Sequence, residues 1–477
     1  MGPAFIRNLW FSFLQLFLNQ GLAFLLFIFL SRSLNKEDFG LLNWSLALLL
    51  VIYSVLSFGM EQVLVRKIAE GGNVHTLVAT NFLHLFFIGL IFQILLFILW
   101  IIQTGGMVPG WLLLLSLGKW ALSMAAPFKS FANGKEHFGL LFFMSLTAGL
   151  VKLGCIVFFF FESIDLHSTI LIFVLGDTLE LTVAMFLMRK KIPLTSLLCF
   201  NKRTYFQLVK ECLPQLGIVI FAIALARIDH ILLGIFSSPA RVAEYSVAYK
   251  IFEMTGFPLL VIAPLLVPAV SRNREGARGQ TNKLLQLLRL EMIIACFTMM
   301  MLNLLWSPVV DGLTNGKYGS VNAMTIFILS LSLPFLYINN LIWTIEFTRG
   351  NLRCILHVFA WTFSFNLILT VILIPLFGNT GAAIAFTTAM VLQSCLYVHR
   401  TRFNIPAPIF QKAASLFSIV IAIILCMRSF VGNVALASIV AVLLFVLAVF
   451  FLKEVRLQNF YSITRIAAKQ FPQTNIH

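Results

Sequence analysis

The chain has 477 residues, of which 60% are hydrophobic and 11% charged, with 49 Phe and a mean hydropathy of +0.96. Soluble domains sit nearer half apolar and a quarter charged, so a water-soluble globular fold is excluded. The net charge of +16 would suit nucleic acid only if a soluble basic face could lie along phosphates. In a chain this apolar the same excess marks cytoplasmic loops, and no nucleic-acid partner is expected.

A membrane helix needs roughly 20 apolar residues to cross about 30 Å of hydrocarbon. Split at polar breaks, the chain offers fourteen candidate spans, near 9–31, 40–62, 76–102, 108–128, 139–161, 168–188, 212–236, 244–270, 284–308, 321–346, 354–377, 380–399, 409–428 and 432–452. The first, Leu9 to Leu30, is too long for a signal-peptide core and has no small-residue cleavage site behind it, so it is expected to remain as a span. The expected fold is an all-α membrane protein of about 14 (12–14) transmembrane helices in two pseudo-repeated bundles. Trp44-Ser45-Leu46-Ala47 opens the second span after a short loop and Tyr245-Ser246-Val247-Ala248 opens the eighth in the same way, a trace of the internal repeats common in transporters.

Between the halves lies the longest polar connection, Arg189 to Glu211, whose basic residues interleave with Leu, Phe and Tyr. It reads as a basic interfacial linker on the inner surface. The expected organisation is an N-terminal bundle of six spans over 1–188, the linker over 189–211, a C-terminal bundle of spans 7–12 over 212–402, and two further spans with a cytoplasmic tail over 403–477.

With a cytoplasmic N-terminus, the inner side receives Arg66 and Lys67, Lys129 and Lys135, the linker, the Arg272 to Lys283 loop, Arg349 and Arg353, Arg400 and Arg402, and the Lys453 to Lys469 tail. Adding Arg7, Arg289 and Lys412 gives 25 of the 34 Lys and Arg, against five outside: Arg32, Lys36, Arg241, Lys317 and Arg428. This is the positive-inside pattern, and it places both termini in the cytoplasm. No outside loop exceeds about a dozen residues, which leaves no room there for a catalytic domain. The seven cysteines form neither a disulfide framework nor a metal site by spacing. Phosphate-cradling Gly-rich loops, His-Glu-x-x-His and Gly-x-Ser-x-Gly are missing, so no enzyme activity and no cofactor is expected.

A charge at the bilayer centre costs at least about 2.5–3.5 kcal/mol, so each one kept should face the bundle interior or a wet cavity. The spans keep the cations Lys119, Lys152, Arg227 and Lys250 and the acids Asp177, Glu180, Asp229 and Glu253, with Glu61 and Glu346 near inner ends. At a rise of about 1.5 Å per residue, Lys119 and Lys250 lie roughly 10–14 Å below the outer surface, and Lys152 and Arg227 roughly 21–23 Å up from the inner one. The four converge on one layer drawn from both halves, suited to an anionic ligand. Lys250 and Glu253, three residues apart on one helix face, could instead pair with each other. Asp177 and Glu180 also share a face; they suit a coupled proton or sodium ion, or a tie to Lys152 on the neighbouring helix.

Neutral polar residues follow helical spacing too: Asn8, Ser12, Gln15 and Asn19; Ser54, Ser57 and Glu61; Asn81 and His84; and Thr362, Asn366 and Thr370. Such stripes serve helix–helix hydrogen bonding or line a hydrated lumen for a sugar-like cargo. Gln15, Asn19, Glu61 and His84 are the candidates for a polar cavity wall. Pro258, Pro264 and Pro268 in the eighth span and Pro334 in the tenth are tolerated kinks where a bundle could rock.

The chain resembles the polysaccharide repeat-unit flippases, the O-antigen type exporters of the multidrug/oligosaccharidyl-lipid/polysaccharide exporter superfamily. The similarity rests on Ser31-Arg32-Ser33-Leu34-Asn35-Lys36-Glu37-Asp38-Phe39-Gly40, Phe58-Gly59-Met60-Glu61 and Arg66-Lys67-Ile68-Ala69. It continues through Asp229-His230-Ile231-Leu232-Leu233-Gly234, Tyr245-Ser246-Val247-Ala248-Tyr249-Lys250 and Pro268-Ala269-Val270-Ser271, although Glu244 stands where the family often has Gly. The resemblance implies a V-shaped, two-lobed transporter carrying an undecaprenyl-diphosphate-linked glycan from the inner to the outer leaflet, reset by an H⁺ or Na⁺ gradient as an antiporter. It also implies contact with membrane lipids and work beside a polysaccharide polymerase and chain-length regulator in lipopolysaccharide or related surface-polysaccharide synthesis. Two alternatives stand beside it: an ion-coupled exporter of drugs or another lipid-linked precursor, and a membrane polysaccharide polymerase or glycosyltransferase.

The loop reading is directly testable. In a cysteine-free background, single cysteines at Gly105 and Ser163 should react with an impermeant maleimide added to intact cells, and cysteines at Gly72 and Asn133 should not. A long reactive outer segment would contradict it.

Overall fold

The structure is a computed structural model and describes residues 3–102, 109–159, 164–259, 276–401, 407–430 and 433–452. Among the described residues all regular elements are helical, as hydrocarbon demands of a backbone that must satisfy its own N–H and C=O groups. In chain order these are α1 (Pro3–Ser33), α2 (Lys36–Leu56), α3 (Met60–Ala69), α4 (Val74–Ile102), α5 (Gly110–Gly134), α6 (Phe138–Phe159), α7 (Leu166–Met188), a 3₁₀ turn (Leu194–Leu198), α8 (Lys202–Phe236) and α9 (Pro239–Met254). They continue as α10 (Gly276–Thr314), α11 (Ala323–Ser330), α12 (Leu333–Thr348), α13 (Leu352–Phe377), α14 (Asn379–Arg400), α15 (Ala407–Phe430) and α16 (Val434–Phe451).

Twelve helical stretches are long and apolar enough to cross a membrane, with a shorter apolar one over Phe17–Ser33. The expected second span is not continuous: α2 ends at Leu56, and Phe58 and Gly59 both adopt positive φ, 52° and 63°, before α3 begins. Such backbone is uncommon for a residue with a Cβ, so the Phe58-Gly59-Met60-Glu61 motif is a built helix break. The tenth is interrupted more mildly between α11 and α12, at Leu331 and Ser332, where the backbone stays right-handed ahead of Pro334. The eighth begins as α9, and its part beyond residue 259 lies outside the described residues, as do Pro264, Pro268, the Arg272 end of its loop and the Lys453 to Lys469 tail.

The chain forms two compact units, one over Gly2–Gly234 with Ser238–Ala243 and the other over Ile235–Ser237 with Glu244–His477. In the N-terminal unit α5 is the hub, packing on α2, α3, α4, α6 and α7. Its sequence explains this, because Ser116, Gly118, Ala121, Ala125 and Ala132 are all buried. Membrane helices gain little from hiding apolar surface from one another, and small residues let their backbones approach closely. The large apolar side chains point the other way: Ile91, Ile94, Leu95, Ile98, Ile101 and Ile102 of α4 are all exposed, as a lipid-facing stripe requires.

The first family-like motif has a plain structural meaning in this unit. Asn35 caps α2, its side chain accepting the Asp38 backbone N–H at 2.7 Å. Five residues on, Gly40 lies so close to the Pro239 carbonyl that an added methyl group would overlap it. Trp44 follows one turn later and donates from its indole to the Ile231 carbonyl at 3.1 Å.

In the C-terminal unit α10 packs on α11, α12, α15 and α16, and α13 and α14 form a tight pair turned at Gly378. Leu284, Leu288, Met292, Leu341, Ile345, Val358 and Tyr397 form its buried core. Thr362, Asn366 and Thr370, expected as a polar stripe, have no exposed surface at all, so they serve helix packing within the unit and do not face a lumen.

Gly40→Ala should lower stability by about 1–3 kcal/mol, the usual cost of overpacking a close contact. Thermal unfolding in detergent, compared with Gly21→Ala where a methyl group meets nothing within 4 Å, checks it.

Candidate functional site: a shared carboxylate under two lysines

Lys119 on α5, Lys152 on α6 and Asp177 on α7 meet inside the N-terminal unit. Lys119 Nζ donates to Asp177 Oδ2 at 2.6 Å, and Lys152 Nζ donates to Asp177 Oδ1, so each carboxylate oxygen holds one ammonium group. Asp177 has no exposed surface, whereas the lysine side chains keep 17% and 12% of theirs. The carboxylate is thus the floor of the site and the two cations are its rim. Phe173, one turn before Asp177, places its ring 5.4 and 5.5 Å from the two ammonium groups, an added electrostatic attraction from the ring face.

Local sequence makes the arrangement possible. Gly176 leaves the space that the Lys152 stem fills, since a Cβ there would collide with it. One turn beyond Asp177, Glu180 is buried and pairs with Lys129 of α5. Lys129 also lies within electrostatic range of Glu61 on α3, so its charge is answered by two acids, whereas at Asp177 two ammonium groups share one carboxylate.

The other sequence candidates fall elsewhere. Arg227 is half-buried on α8 of the same unit, beside buried Asp229. Lys250 lies on α9 in the C-terminal unit and pairs at 2.9 Å with Glu253 on its own helix. Gln15 and Asn19 are half-buried on α1, the side chains of Asn8 and Ser12 lie outside the described ones, and Glu61 is exposed on α3. His84 is pinned between two elements, with Nε2 3.0 Å from the Leu56 carbonyl and Nδ1 3.3 Å from the Tyr205 hydroxyl. It borders a cavity of about 470 Å³ whose wall includes exposed Phe87 and Ile91. Asn81, one turn earlier, is buried with neither amide atom hydrogen bonded.

Several polar residues escape the sequence reading. Tyr53, Gln93 and Ser116 join α2, α4 and α5: Gln93 donates to the Tyr53 hydroxyl at 3.0 Å and Ser116 donates to Gln93 at 2.9 Å. Nothing in spacing links them, because each is alone in its apolar run. Glu244, noted only as a departure in a loop, is buried on α9 and accepts from Asn379 at 3.2 Å. Glu291 is buried within α10, inside the expected span 284–308, and has no polar residue three or four positions away to mark it.

Removing the floor should cost more than removing part of the rim. Asp177→Asn, which strands two ammonium groups, is expected to lose about 3–5 kcal/mol, the cost of breaking a buried pair. Lys152→Met leaves Asp177 with Lys119 and should lose less than half as much. Thermal unfolding of the purified variants in detergent measures both.

The geometry can now be set beside known proteins. By fold, the chain is similar to the lipid II flippase MurJ in an inward closed conformation, with a TM-score of 0.74 at 14% identity over 93% of this chain and 97% of that one. It is also similar to a multidrug resistance MATE family transporter of the MOP superfamily, with a TM-score of 0.60 at 13% identity over 86% of this chain and 98% of the other. A MATE transporter of Vibrio cholerae gives 0.54 at 14% identity over 83% and 99%. At such identities the likeness establishes the fold. No curated protein matches by sequence. The polysaccharide biosynthesis protein family matches residues 5–274, more than half of the chain. That stretch contains α1 to α9 and with them Asp177 and both its lysines, and the chain belongs to the polysaccharide biosynthesis protein family.

Proposed function

We propose that the protein is a flippase that moves an undecaprenyl-diphosphate-linked oligosaccharide repeat unit, of O-antigen or a related surface polysaccharide, across the bacterial inner membrane. The observation that carries this reading is the surplus cation over Asp177. One carboxylate cannot neutralise two ammonium groups, and an anionic cargo group completes the balance. A diphosphate offers several acceptor oxygens to lysines, which bind phosphate as point charges. Asp177 keeps the cations in place and lowers the cost of the empty state; the small accessible part of Lys119 and Lys152 is what a ligand meets.

Arg227 and Lys250 are further candidates for holding the diphosphate in this reading, Gln15, Asn19, Glu61 and His84 pass the sugars, and Asp177, Glu180, Asp229 and Glu253 serve coupling to an H⁺ or Na⁺ gradient. Both termini are cytoplasmic. The family match and the fold of a lipid II flippase support a lipid-linked glycan as cargo. The MATE fold supports drug export as the second reading, but cationic drugs would be repelled by a net positive site.

Complementation of a flippase-null strain decides between them. Lys119→Ala with Lys152→Ala, at normal membrane abundance, should reduce surface polysaccharide at least about tenfold, equivalent to 1.4 kcal/mol or more of lost binding. Full complementation by this double variant, or resistance to cationic drugs in place of polysaccharide, would sink the proposal.

A further inference from the structure

Glu291 is, among the described residues, the one carboxyl group whose two oxygens are both buried and without a hydrogen-bond partner. It is 1% exposed and occupies the buried stripe of α10, with Leu288 three residues before it and Ala295 and Met299 four and eight after. Leu288, Ala295 and Met299 are themselves 2%, 0% and 0% exposed, so the carboxyl points into apolar packing.

Among the described residues no cation bonds to it. Of the helices packed against α10, α11 and α16 contain no titratable residue. On α12, Tyr337 lies within electrostatic range but donates its hydroxyl to the Thr255 carbonyl at 2.8 Å, and Glu346 is engaged by Arg349 and Asn351. On α15, Arg428 binds Asn303, and neither Lys412 nor Cys426 bonds to Glu291. On α10 itself, Arg289 and Cys296 flank it without bonding to it. An ionised carboxylate left there would cost several kcal/mol; a buried group in that position takes up a proton instead.

We infer that Glu291 is a proton-binding site of the C-terminal unit, filled while α10 is packed and emptied when water reaches it. A neutral carboxyl with no acceptor still costs more than a leucine would, so the residue weakens the packed state for the sake of a proton that can leave. The direction follows by linkage: the packed arrangement holds one more proton than the opened one, so rising pH favours opening and falling pH favours packing. Applied to transport this rests on the flippase reading and names the proton as its coupling ion, but the site itself does not need that reading.

Hydrogen exchange of the Leu284–Met299 segment in nanodiscs, without cargo and corrected for intrinsic rates, tests it. In the wild type the opened fraction should rise with pH, by up to about tenfold per unit for one proton. Glu291→Gln, which copies the protonated shape, and Glu291→Leu should both remove the slope, and infrared spectra should lose a protonated-carboxyl band in both. A flat wild-type profile, or a slope unchanged in the variants, would overturn the assignment. Because no cargo is present, these outcomes are separate from the fate of the flippase reading, which complementation alone decides.

Discussion

A charge in hydrocarbon must be answered by another charge, and the N-terminal unit is organised around one such answer at Asp177. Three helices have to approach closely enough for two ammonium groups to reach one carboxylate. The small residues of α5, the space at Gly176 and the ring of Phe173 are all conditions for that approach. In water such a triad would contribute little, because each partner could be solvated separately. In a membrane the cost of leaving any partner alone fixes the positions of all three. Two ammonium groups on a single carboxylate are then what distinguishes the site from a simple ion pair.

The same constraint has a different solution in the C-terminal unit. The Glu244 carboxylate accepts from the Asn379 amide, and Asn339 donates to Gln393 and accepts from Ser394. Asn303 is bonded to Ser330 and to the Arg428 guanidinium. These side chains tie neighbouring helices by short hydrogen bonds, as helix association in lipid favours. Against that background Glu291 stands out, because the helices around it supply partners for other groups and none for its carboxyl.

Much of the fold is legible in the sequence because hydropathy is a direct report on solvent. Runs of about twenty apolar residues became helices, including Asn379–Arg400 and Ile409–Ser429 with their polar content. Helix breaks were less legible: a positive φ at Phe58 leaves no mark in composition, and the span expected over 40–62 runs across the break. For the site, depth counting brought Lys119 and Lys152 to one level, and the alternative tie between Asp177 and Lys152 is present. That Lys119 shares the same carboxylate, and that Glu180 turns to Lys129, depends on how three helices rotate, which spacing along one helix does not encode. The Tyr53, Gln93 and Ser116 triad is invisible for the same reason. Glu291 stands alone in its span, with no polar residue three or four positions away to mark it, although its place in an α10 stripe of buried residues follows helical periodicity.

The central claim is that the excess cation above Asp177 recognises an anionic, lipid-linked cargo. Native mass spectrometry of the purified protein, offered an undecaprenyl-diphosphate-linked oligosaccharide in competition with a zwitterionic phospholipid, measures this without a cell or a gradient. The account predicts selective retention of the diphosphate lipid by the wild type and loss of that selectivity when Lys119 and Lys152 are both replaced by Met. Equal retention of the two lipids by the wild type, or undiminished selectivity in the double variant, would contradict it.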